Sequence, residues 1–315
     1  MSERLLALAA AHAGVLSAVD AQAIDVDANG LASLVRHGVL VRVRRSAYVV
    51  GEQWRTATPE QRLALRTRAV LRARGLANEA ATYQSALALH GLPLFGVATD
   101  VVDIAAPVAR IRKPGNLRIH PADDSLAVVE VEGCRAVSID VALAQVALRE
   151  GRVGVLVPAD RALATGAASL DGVIGLVHRL AGSARLAGRA QRWLAQADGA
   201  SESVGETRAR LLLLDLGHEM RSQVRISDGA GVVGARVDLL VGDRVVVEFD
   251  GLVKYQGAEG RGALAAEKNR EDWLRSLGYE VVRLTWADLE RPRRVEALVR
   301  AALQRAAGRH ALPAS

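Results

Sequence analysis

The sequence has one cysteine, few aromatic residues and almost no lysine. Cys134 alone excludes an internal disulfide framework and a cysteine-based zinc site, and it fits a reducing cytoplasm. Aromatic residues make up 3% of the 315 residues, so leucine, valine and alanine must fill the core, and a hydrophobic share of 50% suffices to build one. Three of the 41 basic residues are lysines. Such an arginine bias follows from a GC-rich coding sequence as readily as from a nucleic-acid partner.

Long hydrophobic runs are also absent from the sequence. No apolar run reaches the length of about eighteen residues that a transmembrane helix needs. The apolar residues 5–9 follow Arg4 as in a secretory signal, but Glu3 and His12 do not fit that pattern. We therefore expect a soluble, cytoplasmic protein with no membrane partner.

The positive charge is concentrated in one segment of the chain. The formal net charge is +6, yet residues 36–74 hold ten arginines against two glutamates, a local charge of +8. The rest of the chain therefore carries −2. This asymmetry indicates a polyanionic partner such as DNA, although a solvated helix face within residues 62–74 would give the same composition.

The first fifty or so residues have the pattern of a winged helix-turn-helix. Three helical stretches are predicted, the second capped by Ser17 and the third by Asp27 or Asn29. A basic β-hairpin over residues 39–50 follows them. In such a domain the third helix enters the major groove of DNA and the wing contacts phosphates. The candidate DNA-binding residues are Ser33, Arg36 and His37 on the third helix and Arg42, Arg44 and Arg45 on the wing.

Two segments resemble the AbiEi-type antitoxin and regulator family. They are GVLVRVRRSAYVVG at residues 38–51 and LANEAATYQSALALHGLPLF at residues 76–95. Ser46 and Ala47 stand where the family usually has Arg-Gly before the tyrosine of the wing. The resemblance implies an N-terminal winged helix-turn-helix that binds DNA, and a cognate toxin as a further partner. His90 in the second segment is expected to be a packed structural histidine.

The middle of the chain, residues 56–197, carries no clear catalytic pattern. No glycine-rich phosphate loop, no Ser-His-Asp order and no pair of histidines with ligand spacing stands out. Asp123, Asp124 and Asp140 are expected to serve turns and helix caps. An α+β region is predicted, with strands over 101–105, 117–120 and 126–131 and helices over 139–149, 160–165 and 185–196.

The C-terminal part, residues 198–315, gathers acidic residues on a predicted hairpin. Its elements are expected in the order α-β-β-α-β-α, an α/β sandwich. If the hairpin turn has three residues, Asp238 lies opposite Glu248, and both share one face with Asp250. A two-residue turn would put Asp238 on the other face. Three close carboxylates repel one another unless a cation lies among them, and such oxygen donors suit Mg²⁺ or Mn²⁺.

This region resembles the PD-(D/E)XK nuclease superfamily, above all its Vsr-like, very-short-patch-repair-type branch, which is often fused to AbiEi-type regulators. The resemblance rests on the helix glutamate Glu206, on RVDLLVGDRVVVEFDG at residues 236–251, on the lysine and tyrosine at 254–255, and on EKNREDWLRSLGYEVVRLTW at residues 267–286. It implies a restriction-endonuclease-like fold that hydrolyses DNA phosphodiesters with a divalent metal ion.

The resemblance also assigns roles to individual residues. Glu206 is the helix acid, Asp238 the motif aspartate and Glu248 the second acid. Asp250 stands where the bare motif has a lysine. A lysine there would orient or activate the attacking water, so Lys254 or Lys268 would have to reach in instead.

The sequence therefore predicts an α/β protein with a winged helix-turn-helix over 1–55, an α+β middle region over 56–197 and an endonuclease-like domain over 198–315. Two functions stay open at this point. Retention of the four acids favours a metal-dependent endonuclease in a bacterial defence or toxin–antitoxin setting. Loss of the motif lysine favours a non-enzymatic antitoxin and repressor. A module that binds an acidic protein partner is a third interpretation of the basic segment.

Overall fold

The computed structural model describes residues 2–228, 231, 233–251 and 258–310, and it has the mixed α/β architecture that the sequence predicts. The chain divides into two units, Met1–Ala197 and Asp198–Ser315. Among the described residues, no helix has both the length and the hydropathy that crossing a membrane requires.

Unit 1 begins with the three helices and the hairpin of a winged helix-turn-helix. The elements are α1 (Ser2–Ala11), β1 (Val15–Ser17), α2 (Ala18–Gln22), α3 (Ala28–Arg36), β2 (Leu40–Arg44) and β3 (Ala47–Val50). Ser17 and Asp27 cap α2 and α3, because each side chain accepts a hydrogen bond from a backbone N–H in the first turn of its helix. Strand β1, which the sequence does not predict, pairs with β3 and gives the sheet order β1-β3-β2.

The wing turn closes without a glycine. Ser46 adopts the left-handed backbone conformation, with φ at 62°, that glycine takes most easily. An irregularity in the pairing between Arg42 and Arg44 accompanies the turn. The hairpin therefore forms even though this chain departs from the family pattern at Ser46.

The rest of unit 1 is an α+β region built on a five-stranded sheet of order β6-β5-β4-β8-β7. Its elements are α4 (Gly51–Thr56), α5 (Pro59–Arg74), β4 (Ala80–Ala81), α6 (Tyr83–Leu89), β5 (Val102–Ala106), β6 (Leu117–Pro121), β7 (Val128–Val131), β8 (Cys134–Val137), α7 (Ile139–Arg149), α8 (Arg152–Ala164), α9 (Leu170–Leu180) and α10 (Ala184–Leu194). The sequence does not predict β4, β8 or α9. Helix α8 begins at Arg152, well before the predicted start at residue 160, and contains the buried Pro158 in its interior.

Both faces of the winged sheet are buried in unit 1. On one face, Leu16 and Tyr48 pack with helical residues such as Leu31. On the other face, Val15 and Val49 pack against α5. The winged domain is therefore continuous with the middle region through α5.

Several polar residues of unit 1 have the structural roles that the sequence predicts. His90 ends α6, and its Nε2 donates to the carbonyl oxygen of Val137 at 2.9 Å. Asp123 accepts hydrogen bonds from both the backbone and the hydroxyl of Ser125 in a turn. Asp140 lies in the first turn of α7.

Unit 2 is a four-stranded sheet of order β12-β11-β10-β9 with helices on both faces. Its elements are α11 (Val204–Asp215), β9 (Met220–Ser227), β10 (Val233–Val241), β11 (Val245–Phe249), α12 (Ala258–Ser276), β12 (Glu280–Leu284), α13 (Trp286–Leu289) and α14 (Pro292–His310). Strands β9, β10 and β11 are antiparallel, and β12 joins β11 in parallel after α12. The sequence does not predict β9.

The hairpin of β10 and β11 has the three-residue turn that places Asp238 opposite Glu248. Leu239 pairs with Val247 and Val241 pairs with Val245, so the next position along each strand brings the two acids together. Side chains do not alternate regularly along β10, however. Val237 and Leu240 pack in one core cluster and Leu239 in the other. Alternation along β10 therefore does not by itself show on which face of the sheet Asp238 lies, and its hydrogen bonds and neighbouring charges are needed as well.

Candidate functional site

The exposed basic residues of the winged domain lie on α3 and on the wing. Arg36 is in the last turn of α3, Arg42 is on β2, and Arg45 is in the wing turn. Their side chains are exposed, and none makes a hydrogen bond or an ion pair with another described residue. An unpaired guanidinium is available for a phosphate oxygen, which it can bind with two parallel hydrogen bonds.

A groove joins the wing to the helix-turn-helix. It has a volume of about 680 Å³ and is lined by Arg42 and Arg45 on one side and by residues of α2 and α3, including Ala32 and Val35, on the other. The two wing arginines therefore face the same space as α3. This is the arrangement in which a recognition helix and a wing can contact one stretch of duplex.

The other candidate residues on α3 contact each other. Nδ1 of His37 lies 2.8 Å from the carbonyl oxygen of Ser33, and because a carbonyl only accepts, Nδ1 carries the proton of that hydrogen bond. The Ser33 hydroxyl lies 3.4 Å from the same nitrogen. His37 is exposed at the end of α3, so its Nε2 is the ring nitrogen left for a base edge or a phosphate.

Arg44 differs from its neighbours on the wing. Its Nη1 donates to the side-chain oxygen of Asn116 at 2.9 Å, and its side chain is half-buried. Arg44 therefore ties the wing to the middle region of unit 1 and is not free in the way that Arg42 and Arg45 are.

Seven of the ten arginines in residues 36–74 bind within unit 1. The solvated helix face considered for residues 62–74 is not what the structure shows, because the five arginines of α5 in this set bind other residues of unit 1. Their partners are Asn116 for Arg44, Gly38 for Arg55, Trp54 for Arg62, Thr99 for Arg66, Glu132 for Arg68, Asp20 for Arg72 and Glu79 for Arg74. The arginines of the segment whose guanidinium groups have no partner among the described residues are therefore Arg36, Arg42 and Arg45.

In unit 2, Glu206 is a buried acid on α11. Its Oε2 accepts hydrogen bonds from the backbone N–H of Glu202 and from the amide of Gln223, both at 2.9 Å. Burial raises the pKa of Glu206 above its usual value, the N–H of Glu202 opposes that rise, and the nearby charge of Asp238 adds to it. Glu206 and Asp238 are therefore close enough to influence each other.

Asp238 connects the two strands of the hairpin through its side chain. Its Oδ2 accepts a hydrogen bond from the backbone N–H of Phe249 at 3.0 Å. Burial raises the pKa of Asp238, and the Phe249 N–H and the charge of Arg270 hold that rise back. Glu248 experiences the charge of Asp238 in turn. The structure thus brings Glu206, Asp238 and Glu248 into one region, as the sequence predicts.

An arginine that the sequence does not single out pairs with Glu248. Nη1 of Arg270, on α12, donates to Oε1 of Glu248 at 2.7 Å, and its Nη2 donates to the carbonyl oxygen of Arg236 at 3.2 Å. Burial raises the pKa of Glu248, and the charge of Arg270 opposes the rise. The signal in the sequence is the spacing of charges on α12. Glu267 and Glu271, four residues apart, pair with Arg283 on β12, and Arg270 contacts the hairpin from the same helix.

The other residues predicted for the site are Asp250, Lys268 and Lys254. Asp250 is half-buried just after β11, where its backbone N–H donates to Leu284 at 2.8 Å. Lys268 is exposed on α12 and makes no hydrogen bond or ion pair with another described residue. Lys254 lies outside the described residues. Of the basic residues on α12, it is Arg270 and not Lys268 that reaches the acids.

The acids have the donor chemistry of a divalent-cation site, but an arginine lies among them. Carboxylate oxygens suit Mg²⁺ or Mn²⁺. Burial and the charge of Asp238 raise the pKa values of Glu206 and Glu248, and a cation would stabilise the charged form of such acids. Across residues 2–228, 231, 233–251 and 258–310, however, no three Asp, Glu, His or Cys side chains are arranged to hold a metal ion. Arg270 already supplies positive charge at Glu248.

Comparison with known proteins agrees with the winged domain. Residues 3–51 match a family model described as transcriptional regulator, AbiEi antitoxin. No curated protein matches the chain. The matched residues run from α1 to the end of the wing and include Arg36, Arg42 and Arg45. Residues 3–51 are therefore similar to the AbiEi antitoxin and regulator family, and this similarity supports a DNA-binding regulatory role for the winged domain.

Proposed function

We propose that this chain is a DNA-binding transcriptional regulator of the antitoxin type. The observation that carries the proposal is the set of three exposed, unpaired arginines on α3 and the wing, Arg36, Arg42 and Arg45, within the segment that matches the AbiEi model. In this role α3 lies in the major groove, and Ser33, Arg36 and His37 meet base edges or nearby phosphates. Arg42 and Arg45 bind phosphates through the wing. As an antitoxin, the protein would also act against a cognate toxin.

The salt dependence of DNA binding tests the role of the wing. Each phosphate contact releases counterions, so the slope of log K against log salt changes by about 0.9 for each contact that is lost. We expect replacement of both Arg42 and Arg45 by alanine to make the slope shallower by about two. Fluorescence anisotropy on duplex DNA at several salt concentrations measures it.

Arg44→Ala is the matched control on the same hairpin. Because Arg44 is bound to Asn116, we expect its removal to change the slope little. An unchanged slope in the double variant, with Arg44→Ala behaving identically, would show that the wing does not bind DNA.

A second candidate function is metal-dependent hydrolysis of DNA in unit 2. The observation in its favour is the grouping of Glu206, Asp238 and Glu248, because burial and the charge of Asp238 both raise the pKa of each of the other two acids. These three acids, with Asp250 beside them, would hold Mg²⁺ or Mn²⁺. Such an ion supplies a water of lowered pKa and stabilises the charge that develops on a phosphoryl group. Lys254 or Lys268 would orient that water.

Plasmid nicking in Mg²⁺ or Mn²⁺ separates the two functions. If unit 2 is a nuclease, we expect wild type to nick supercoiled DNA, and Asp238→Asn to lose at least about a hundredfold of that rate because a metal ligand is gone. Asp243→Asn is the control, since Asp243 is exposed in the turn of the same hairpin. No nicking, together with no heat of Mn²⁺ binding in calorimetry, would leave only the regulator.

A further inference from the structure

The middle region of unit 1 contains a cavity that plays no part in the proposed DNA contacts. Its volume is about 310 Å³, at the small end of the range for ligand pockets. Aliphatic side chains such as Ala105 and Val137 form much of its wall, and Tyr83, His120 and Gln145 add polar groups. A small apolar pocket with a few convergent polar atoms is the usual form of a small-molecule site.

A buried network behind the wall fixes the ring of His120. Nε2 of His120 lies 2.6 Å from Oδ1 of Asp103, which has no solvent exposure, and Arg149 donates to the same oxygen at 2.7 Å. Burial alone would raise the pKa of Asp103, but the hydrogen bonds from His120 and Arg149 lower it below its usual value. Asp103 is thus an anion, and because a carboxylate oxygen only accepts, Nε2 of His120 carries the proton of their hydrogen bond.

The other ring nitrogen of His120 is left for a ligand. Nδ1 makes no hydrogen bond to another described residue, and it is not among the solvent-inaccessible polar atoms that lack a partner. It is therefore reached by solvent on the cavity side. With the proton on Nε2, Nδ1 presents a lone pair that accepts a hydrogen bond.

Gln145 offers the complementary group. Its Oε1 accepts hydrogen bonds from the hydroxyl of Thr82 at 2.6 Å and from the backbone N–H of Tyr83 at 3.0 Å. The N–H of Tyr83 needs an acceptor, so these contacts fix which end of the amide is the oxygen. The NH₂ group of Gln145 has no partner among the described residues and remains a donor toward the cavity.

Tyr83 is held in a strained backbone conformation beside these groups. Its φ is 52°, which is an outlier for a large residue and costs free energy that the surroundings must offset. Its ring is packed against the Arg149 guanidinium at 3.8 Å and the His120 ring at 4.6 Å. Strain of this kind is typical of ligand sites, where it keeps side chains in place before binding.

The charges around the cavity argue against an anionic ligand. Among the described residues that line it, Arg135 is basic while Asp123 and Asp124 are acidic. The guanidinium of Arg135 is already bonded to the carbonyl oxygen of Ala77. A phosphate or carboxylate would therefore meet two acids against one arginine in this wall, which is an unfavourable balance of charge for an anion.

We propose that this cavity is a binding site for an uncharged planar heterocycle of the nucleobase or nucleoside type. The ring edge donates a hydrogen bond to Nδ1 of His120 and accepts one from the amide NH₂ of Gln145. The aliphatic wall covers the faces of the ring. Nucleosides combine an adjacent donor and acceptor on one edge with an apolar ring face, which is what these groups match.

Calorimetry on the full chain tests the proposal with adenosine, guanosine, cytidine and thymidine, and with their 5′-monophosphates. We expect at least one nucleoside to bind with saturation, and its monophosphate to bind more weakly because of Asp123 and Asp124. Gln145→Glu keeps the acceptor that Thr82 and Tyr83 use but removes the NH₂ donor. We expect it to weaken nucleoside binding by about tenfold or more.

Gln191→Glu is the matched control, because it makes the same change on the exposed face of α10 away from the cavity. It should bind as wild type does. A second measurement uses the wild-type chain, in which the ¹⁵N resonance of His120 Nδ1 should shift on titration with the nucleoside. Absence of saturable binding by all four nucleosides, an unshifted His120 resonance, or equal affinity in a folded Gln145→Glu variant would overturn the proposal.

Discussion

Arginine has two separate roles in the segment of highest positive charge. Arg68 and Arg72 are ion-paired with Glu132 and Asp20 within unit 1, whereas Arg42 and Arg45 on the wing have no partner among the described residues. Composition counts all of these side chains equally. Their contacts show that most of these guanidinium groups are engaged within unit 1 and that three of them are paired with acids. An estimate of DNA affinity from net charge alone would therefore be too high.

The pair of Arg270 and Glu248 gives a prediction that depends on pH. Arg270→Gln leaves Glu248 buried without its cation, and we expect unit 2 to lose roughly 1–3 kcal/mol of unfolding free energy at pH 7. Arg270 opposes the rise in the pKa of Glu248, so the variant has an even higher folded pKa. A carboxyl group whose pKa is raised in the folded state lowers the stability of the protein as pH rises through that pKa. The loss caused by Arg270→Gln should therefore fade as pH falls toward about 4.3, the ordinary pKa of a glutamate, because Glu248 then takes up a proton in both the folded and the unfolded state.

Urea unfolding of both proteins between pH 4 and pH 7 measures this effect. Arg275→Gln is the control on the same helix, because Arg275 is exposed and makes a surface pair with Glu271 worth less than about 0.5 kcal/mol. A loss that stays constant across this pH range would mean that Arg270 acts through packing and not through its charge.

The sequence predicts single residues best where the reason is local. Ser17 and Asp27 are recognisable as caps because the side chain bonds to a backbone group only three residues away. Arg270 and the Asp103–His120–Arg149 network were missed because their partners are remote in sequence. Contacts between residues so far apart in sequence depend on how the helices are rotated against the sheet, and composition does not determine that rotation.

At the scale of elements, α11 depends on a close approach to β11. A Cβ added to Gly205 would lie 2.0 Å from Cε1 of Phe249, whose ring packs edge-on against Trp286. We expect Gly205→Ala to destabilise unit 2 by roughly 1–3 kcal/mol through overpacking, although alanine is the better helix former. Chemical denaturation followed by tryptophan fluorescence measures the change.

Gly175→Ala is the counterpart in a helix with room for a side chain. Nothing lies within 4 Å of a Cβ added to Gly175 in α9. We expect it to stabilise unit 1 by roughly 0.5–1 kcal/mol through backbone entropy alone. Equal effects of the two substitutions would contradict the close packing of α11 on Phe249.

Elements with strong apolar patterns are predicted from the sequence, and short or polar ones are not. The valine-rich runs on either side of Gly242 predict the hairpin of β10 and β11, whereas the length of its turn, which the sequence leaves open, is shown by the pairing of Val241 with Val245. Strand β9 was missed because it is largely polar and only partly buried, with Gln223 at a φ of 51°. Strands β1 and β4 are too short to show a period, and pairing with distant strands stabilises them.

At the scale of the whole molecule, each unit has its own hydrophobic core. Leu16 and Tyr48 belong to a core in unit 1, and Leu239 and Val247 to one in unit 2. We expect a fragment of residues 1–197 to fold and to keep the salt slope of DNA binding of the full chain. Anisotropy measurements on the fragment test this. A fragment that folds but does not bind DNA would show that the DNA contacts require residues 198–315.

The freedom of Arg36, Arg42 and Arg45 also determines how this protein can change over evolutionary time. Substitutions at these three positions disturb no hydrogen bond or ion pair with another described residue, so they can change what the surface binds with little effect on the stability of the fold. Arg68 and Arg72 have no such latitude, because each leaves an acid without its partner when it is lost. If the proposed function holds, the preference for DNA sequence can therefore change quickly on a scaffold that must itself change slowly.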